Sequence, residues 1–174
     1  MIDSAGPRMM RPEDAILFLD YDGVLHPNSA FRTKHGIELR APGALMMHAP
    51  ILHNILLSFP TVKLCLSTSW VRMLGYQRAR RALPENLRDR TVSATWHSRM
   101  RGDPREGYDS FTRYQQICGA VTRAGVKNWL ALDDDPDFSW PHGDSRLVRC
   151  DPHLGLGNLA TQEELRAKLA NLFE

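Results

Sequence analysis

The chain has 174 residues, 43% hydrophobic and 24% charged residues and a formal net charge of +2. This composition is typical of a soluble globular protein, and the length suffices for one domain with its own core. No apolar stretch approaches the ~18 residues that a membrane span requires, so we expect no membrane partner. The weak net charge neither indicates nor excludes a polyanionic partner. We predict a flexible N-terminal arm over residues 1–14 and a single domain over 15–174.

The three cysteines do not form a pattern that indicates metal binding or disulfide pairing. Cys65, Cys118 and Cys150 are widely spaced, and no two of them form a CxxC pair. Cys65 and Cys150 fall in predicted strands, where a small buried hydrophobic residue is the usual role of a free cysteine. Residues 1–14 lack the apolar centre of a secretory signal. We therefore expect a reducing, cytoplasmic location.

In the first half of the chain, two short apolar runs predict buried strands. They are Ala15-Ile16-Leu17-Phe18-Leu19 and Val62-Lys63-Leu64-Cys65-Leu66. The stretch between them predicts turns over 26–42 and then helical structure over 42–58. Pro50 must end one helix or start another, because proline is not accommodated inside a straight helix. A further helix is predicted over 70–82, ending before Pro84.

The second half continues the alternation of strands and helices. A short strand is predicted over 91–96, a loop over 97–107, a helix over 110–124 that stops at Gly125, and strands over 129–135 and 147–150. Thr161 and Glu164 predict a capping box for a last helix, whose apolar face contains Leu165, Leu169 and Leu172. Alternating strands and helices predict an α/β fold, a Rossmann-like three-layer sandwich with a mostly parallel central sheet.

Polar residues follow three of the predicted strands directly. Asp20-Tyr21-Asp22-Gly23 follows the first strand, Ser67-Thr68-Ser69 follows the second, and the strand that begins at Trp129 ends in Asp133-Asp134-Asp135. Buried carboxylates are costly unless they meet a cation or take part in chemistry. In an open α/β sheet, ligands bind at the carboxyl ends of the strands. Two acidic ends and one hydroxyl end therefore predict a site for metal-assisted phosphoryl transfer.

Together these three strand ends resemble the motifs of the haloacid dehalogenase (HAD) superfamily. The resemblance implies that Asp20 is the nucleophile, which forms an aspartyl-phosphate, and that Asp22 is the general acid and then the general base. It also implies that the backbone carbonyl of Asp22 binds the metal. Gly23 permits the tight turn by which the backbone approaches the ligand. His26 follows this loop and is a candidate for contact with substrate or for a structural role in the turn.

In this superfamily the hydroxyl of the second motif binds a phosphoryl oxygen. The apolar run before the hydroxyl cluster favours Ser67. Thr68 stays open, because a shift of one residue in a strand points the side chain to the opposite face. Ser69 and Arg72 are further candidates for substrate binding.

The resemblance also implies Mg²⁺ as the cofactor, held by Asp20, Asp22, Asp133 and Asp134. Asp134 is the expected direct ligand, Asp133 would act through water, and Asp137 would support them. Mg²⁺ prefers hard oxygen ligands and takes few carboxylates, which agrees with this set. Asp133-x-Asp135-x-Asp137 also resembles the start of an EF-hand. Phe138 at its sixth position and the strand before it argue against that alternative.

The superfamily carries a lysine or arginine that stabilises the phosphorylated intermediate. Arg113, at the start of the helix before the second acidic strand, takes this place. Arg105 and Lys127 are the rivals, and Lys127 would lie at the wrong end of the sheet.

The insertions between the motifs are too short for a cap domain, so we expect a capless HAD-like hydrolase domain. From Ile16 to Leu159 the chain resembles the capless phosphatase-like domains of multidomain RNA-repair proteins and stand-alone bacterial relatives. We therefore expect a Mg²⁺-dependent phosphatase that acts on phosphorylated substrates, with a nucleotide or nucleic-acid end as one option. Arginines between Arg72 and Arg105, with Trp70, Tyr76 and Trp96 among them, weakly favour that option. An inactive binding or regulatory module and a phosphotransferase to an acceptor other than water stay open as alternatives.

Overall fold

The structure is a computed structural model that describes residues 8–101, 107–135 and 139–172. The strands are β1 (Ala15–Leu19), β2 (Ala30–Thr33), β3 (Gly36–Leu39), β4 (Val62–Leu66), β5 (Thr91–Ala94), β6 (Asn128–Asp133) and β7 (Leu147–Arg149). The helices are α1 (Ala49–Leu56), α2 (Ser69–Leu74), α3 (Tyr76–Arg81), α4 (Glu85–Arg88), α5 (Arg113–Ala124) and α6 (Leu159–Asn171). Short 3₁₀ turns span Ser98–Met100, Tyr108–Ser110 and Gly155–Gly157.

The central sheet is parallel and has the strand order β5-β4-β1-β6-β7. Strand β1 lies in the middle, and all five of its residues are buried. Leu19, its last residue, pairs with Leu66 of β4 and with Leu132 of β6. Asp20, Ser67 and the final residue of β6, Asp133, follow these paired residues. The register therefore sets one carboxylate, one hydroxyl and a second carboxylate side by side at the carboxyl edge of the sheet.

Two hydrophobic cores cover the two faces of this sheet. In β1, Leu17 and Leu19 belong to the larger core, whereas Ile16 and Phe18 belong to the smaller one. The larger core also contains buried residues of α1, α2 and α6, and the smaller one contains residues of α5. This arrangement confirms the predicted three-layer α/β sandwich, since side chains alternate between the two faces of a strand.

The turn-rich segment predicted over 26–42 contains the antiparallel hairpin of β2 and β3. The sequence did not indicate these strands because each has only four residues and none of those residues is fully buried, so neither strand forms an apolar run. The helix predicted over 42–58 is shorter and begins near Pro50, which occupies its first turn. Its first turn accommodates a proline because those N–H groups have no partner within the helix.

Two predicted helices also differ from the observed ones. The helix predicted over 70–82 is divided into α2 and α3 at Gly75, whose φ of 84° is incompatible with a continuous α-helix. The last helix is capped by Asn158, whose side chain accepts a hydrogen bond from the Ala160 backbone N–H, so the predicted Thr161–Glu164 capping box is wrong. Thr161 instead lies inside α6 and is buried.

The described part of the N-terminal segment is packed against the domain. The Arg8 backbone N–H donates to the Val92 carbonyl at 2.7 Å, and Met10 is buried in the smaller core. Asp14 is buried and pairs with Lys63 at 2.6 Å. Residues 1–7 lie outside the described residues, so the flexible arm and the domain boundary at residue 15 stay predictions.

The segment between β1 and β4 contains only the β2–β3 hairpin and α1. No domain-sized insertion interrupts the described residues, as predicted for a capless domain. Among those residues, no helix has the length and apolar character to cross a membrane.

Candidate active site

Three aspartates meet at the carboxyl edge of the sheet. Asp20 follows β1, Asp133 ends β6, and Asp134 follows it. Asp20 and Asp133 are nearly inaccessible, with relative residue exposures of 4% and 1%, while Asp134 is half-buried. One carboxylate oxygen from each residue lies within 4.8 Å of the other two. Buried carboxylates this close repel one another, so the cluster requires a positive charge or bound protons.

The turn after Asp20 brings its backbone against Asp134. Gly23 has a φ of 73°, and a Cβ at this position would collide with Asp134 Oδ2. Only glycine therefore permits this close approach. Asn28 Nδ2 donates to the same oxygen at 2.9 Å. Asn28 could not be identified as a site residue from the sequence, because a single asparagine in a turn carries no signal of a partner 106 positions away.

Arg113 lies within reach of two of the carboxylates and the hydroxyl end of β4. Its Nε lies 3.2 Å from Asp133 Oδ2, and its Nη2 lies 3.7 Å from Asp20 Oδ2. Its Nη1 donates to Ser67 Oγ at 3.4 Å. The capping box between Thr112 and Gln115 fixes the first turn of α5 and so the place of Arg113. Lys127 is exposed just before β6, at the opposite edge, and Arg105 lies outside the described residues.

The structure distinguishes the three neighbouring hydroxyls. Ser67 is fully buried and contacts Arg113. Thr68 is also buried, but its Oγ1 caps α2 by accepting a hydrogen bond from the Trp70 backbone N–H at 3.4 Å. Ser69 is exposed at the start of that helix. Ser67 is thus the hydroxyl that the contact with Arg113 links to the aspartate cluster.

Two ring N–H groups orient Asp22. His26 is fully buried, and its Nδ1 accepts a hydrogen bond from the Met46 backbone N–H at 3.3 Å. The ring proton therefore lies on Nε2, which donates to Asp22 Oδ1 at 3.0 Å. Trp70 Nε1 donates to Asp22 Oδ2 at 3.0 Å. His26 thus contacts Asp22 rather than solvent, and Trp70 is a site residue that the sequence motif identified only as a possible stacking surface.

Arg72 contacts a residue outside the aspartate cluster. It is 54% exposed on α2 and forms an ion pair with Asp109. Asp137, the predicted supporting residue, lies outside the described residues.

The negative charges of the aspartate cluster are not fully compensated by the residues around it. Burial raises the pKa of Asp20 to about 7, and the charge of Asp134 adds to this, although Arg113 opposes it. Burial and the charge of Asp20 raise the pKa of Asp133 well above its usual range. Burial also raises the pKa of Asp134. Asp133 Oδ2 accepts no well-aligned hydrogen bond from the described residues, although Arg113 Nε lies nearby. One arginine does not compensate three carboxylates, so a divalent cation suits this donor set.

We expect the metal-free protein to lose stability as the pH rises from ~4, the carboxyl pKa of unfolded chains, through about 7. Over this interval folded Asp20 still binds a proton that unfolded Asp20 has released, so rising pH favours the unfolded state. The Asp20→Asn variant should show a shallower decrease. Urea unfolding in EDTA at a series of pH values measures both proteins. His48 and His97 titrate in the wild type and in the variant, so they contribute to both pH slopes. Equal pH slopes of the two proteins would therefore contradict a raised Asp20 pKa.

A comparison with protein-family models gave a match over residues 16–159. The matching family is described as the HAD domain in Swiss Army Knife RNA repair proteins. Searches of curated proteins and of solved structures found no match to the chain. The match covers the strands of the central sheet, apart from the first residue of β1, and every residue of the aspartate cluster. The chain, whose central sheet has five parallel strands, belongs to this family of HAD domains.

Proposed function

We propose that the chain is a Mg²⁺-dependent phosphomonoester hydrolase that works through an aspartyl-phosphate at Asp20. The observation that carries the proposal is the convergence of Asp20, Asp133 and Asp134 with Arg113 at one sheet edge, where Arg113 also contacts the Ser67 hydroxyl. Membership of the HAD family supports phosphatase-type or related activity.

The donor set fits Mg²⁺. Asp20 and Asp134 would supply carboxylate oxygens, Asp22 its backbone carbonyl, and Asp133 would act through a water molecule. Any side chain at position 23 would collide with Asp134 Oδ2. This close packing supports a role for that oxygen in a tightly packed ligand site. When bound, Mg²⁺ would neutralise charge on the phosphoryl group and lower the pKa of its carboxylate ligands.

In the first step, a carboxylate oxygen of Asp20 attacks phosphorus, and the bond from phosphorus to the leaving oxygen breaks. Asp22 gives its proton to that oxygen. Ser67 and Arg113 donate hydrogen bonds to the phosphoryl oxygens, where negative charge accumulates. In the second step, Asp22 takes a proton from water, whose oxygen attacks phosphorus and releases Asp20. The hydrogen bonds from His26 and Trp70 would keep the Asp22 carboxyl oriented for both transfers.

The test is hydrolysis of an aryl phosphate as a function of Mg²⁺ concentration. We expect activity that EDTA abolishes, and we expect Asp134→Asn to raise the Mg²⁺ concentration required for half-maximal activity by at least ~10-fold, since one carboxylate ligand is lost. Asp89→Asn, which neutralises an exposed aspartate after α4, is the matched control. Wild-type activity that persists in EDTA, or an equal response in the two variants, would overturn the metal assignment.

For the substrate, we propose a terminal phosphate on a nucleotide or polynucleotide. The family description names RNA repair proteins, and the segment between β1 and β4 contains no domain-sized insertion that would cover the sheet edge. The same assay with end-phosphorylated oligonucleotides, mononucleotides and sugar phosphates decides this point. A preference of tenfold or more for sugar phosphates would reject the nucleic-acid assignment and keep the phosphatase.

A further inference from the structure

A groove of about 710 Å³ lies beside strand β5, at the edge of the sheet. Its walls come from the packed N-terminal segment, the start of α3, the chain that leaves β5, and the C-terminal half of α5. None of the aspartates of the active site lines it. The groove is therefore distinct from the phosphoryl-transfer site.

The charged residues that line the groove are all cationic. Arg8, Arg99, Arg101 and Arg123 contribute to its walls, and all four are exposed. No aspartate or glutamate is among the described residues that line it. The net charge of the whole chain is only +2, so this concentration of positive charge is local. Such a groove attracts a polyanion, and less strongly as salt is added.

Apolar surface lies beneath these arginines. Met9 is exposed and Tyr76 is half-buried, whereas Trp96 is only 7% exposed, and its ring lies under Arg101, whose guanidinium carbon is 5.7 Å from the ring centroid. Single-stranded nucleic acid has the matching chemistry, because phosphates pair with cations while bases cover apolar and aromatic surface. A purely acidic peptide such as polyglutamate would satisfy the arginines but offers no flat apolar groups for this surface.

The groove begins one strand away from the active site. The Thr95 backbone N–H donates to the Leu66 carbonyl at 2.9 Å, and Ser67 directly follows Leu66. Trp96, the next residue after Thr95, already lines the groove. Arg123 Nη2, from the opposite wall, donates to the Thr95 carbonyl at 3.4 Å. Neighbouring β-strands lie ~4.8 Å apart. A polynucleotide whose terminal phosphate is at Ser67 would therefore reach the groove with its next phosphates.

We propose that this arginine groove binds the sugar–phosphate backbone of a single-stranded polynucleotide whose terminal phosphate occupies the active site. The proposal rests on the proposed phosphatase function, and it adds the site that holds the rest of the substrate. It assigns Arg99 and Arg101 to phosphate contacts, because both are exposed and lie in the chain that leaves the active-site edge of β5.

The test is a binding measurement that needs no turnover. A fluorescently labelled oligoribonucleotide without terminal phosphates is titrated with the full chain at several salt concentrations, and anisotropy reports binding. We compare the wild type with the double variant Arg99→Gln/Arg101→Gln. The matched control is Arg78→Gln/Arg81→Gln, which removes the same charge from exposed positions on α3 that do not line the groove.

We expect the groove variant to bind at least ~10-fold more weakly than the control variant, because two charge-assisted phosphate contacts are lost. Its log–log slope of affinity against salt should be shallower by roughly 1.4, about 0.7 for each lost contact with a single strand. Equal affinities of the two variants, or no binding by the wild type, would overturn the proposal. So would a polyglutamate peptide that competes as well as unlabelled oligonucleotide.

Aryl phosphate hydrolysis by the wild type, measured separately, distinguishes the two proposals. Groove-dependent binding without hydrolysis would reject the phosphatase function and support the groove as a polynucleotide site. Hydrolysis without groove-dependent binding would reject only the groove.

Discussion

Replacing Asp20 by asparagine should lower phosphomonoester turnover by ~10³-fold or more while the fold persists. The amide has nearly the same shape as the carboxylate but is a far weaker nucleophile, so the covalent route is lost. The fold should persist because the substitution removes one of three neighbouring negative charges from a buried cluster. Turnover of an aryl phosphate and thermal unfolding of the same preparation measure both effects.

The metal-free Asp20→Asn protein should in fact be more stable than the wild type above the raised pKa of Asp20. At that pH the wild type carries an additional buried charge, which costs free energy. Asp89→Asn is the control for the loss of one negative charge and should change neither turnover nor stability measurably. Acid-quenched wild-type protein should retain phosphate from the substrate, and the variant should not. Wild-type turnover by Asp20→Asn would exclude this residue as the nucleophile.

Replacing Arg113 by methionine should destabilise the metal-free protein by about 3 kcal/mol or more, because the removal of one partner leaves buried charges uncompensated. Arg113 is paired with both Asp20 and Asp133, and only 19% of its side chain is exposed. Burial alone would lower the pKa of Arg113, yet the charges of Asp20 and Asp133 raise it, so the guanidinium stays charged. The loss of stability should increase with pH as the carboxyl groups ionise, and urea unfolding in EDTA measures it.

Lys127→Met is the matched control for this substitution. Lys127 is exposed at the opposite edge of the sheet, so its loss should leave stability and turnover nearly unchanged. Arg113→Met should also lower turnover, since Ser67 loses its neighbour and the phosphoryl group loses a donor. If Arg105→Met or Lys127→Met lost more turnover than Arg113→Met, that residue rather than Arg113 would be the cation that stabilises the phosphorylated intermediate.

The central strands and the motif positions could be predicted from the sequence because their signals are local. Apolar runs predicted β1, β4 and β6, since a strand in the middle of a parallel sheet is buried on both faces. The polar residues that end these runs were visible as deviations from the apolar pattern. Parallel pairing then required the three ends to meet at one edge, whatever the detailed register.

Several contacts inside the site could not be predicted, because they join residues far apart in the chain. Arg113 and Ser67 are 46 positions apart, and Trp70 and Asp22 are 48 apart. The sequence left Ser67 and Thr68 as alternatives. The register of β4 against β1 and the capping of α2 by Thr68 distinguish them in the structure.

The sequence by itself therefore determined the α/β class, the positions of the buried strands along the chain and the polar residues at their carboxyl ends. Burial of apolar runs and the two-residue period of a strand suffice for that. Only the tertiary structure decided that Asn28 donates to Asp134 where Gly23 lets the backbone approach it. The same holds for the two ring N–H groups that orient Asp22 and for the arginines from separate segments that line one groove beside β5. These features depend on strand order, register and helix placement, which are properties of the packed chain rather than of any local segment.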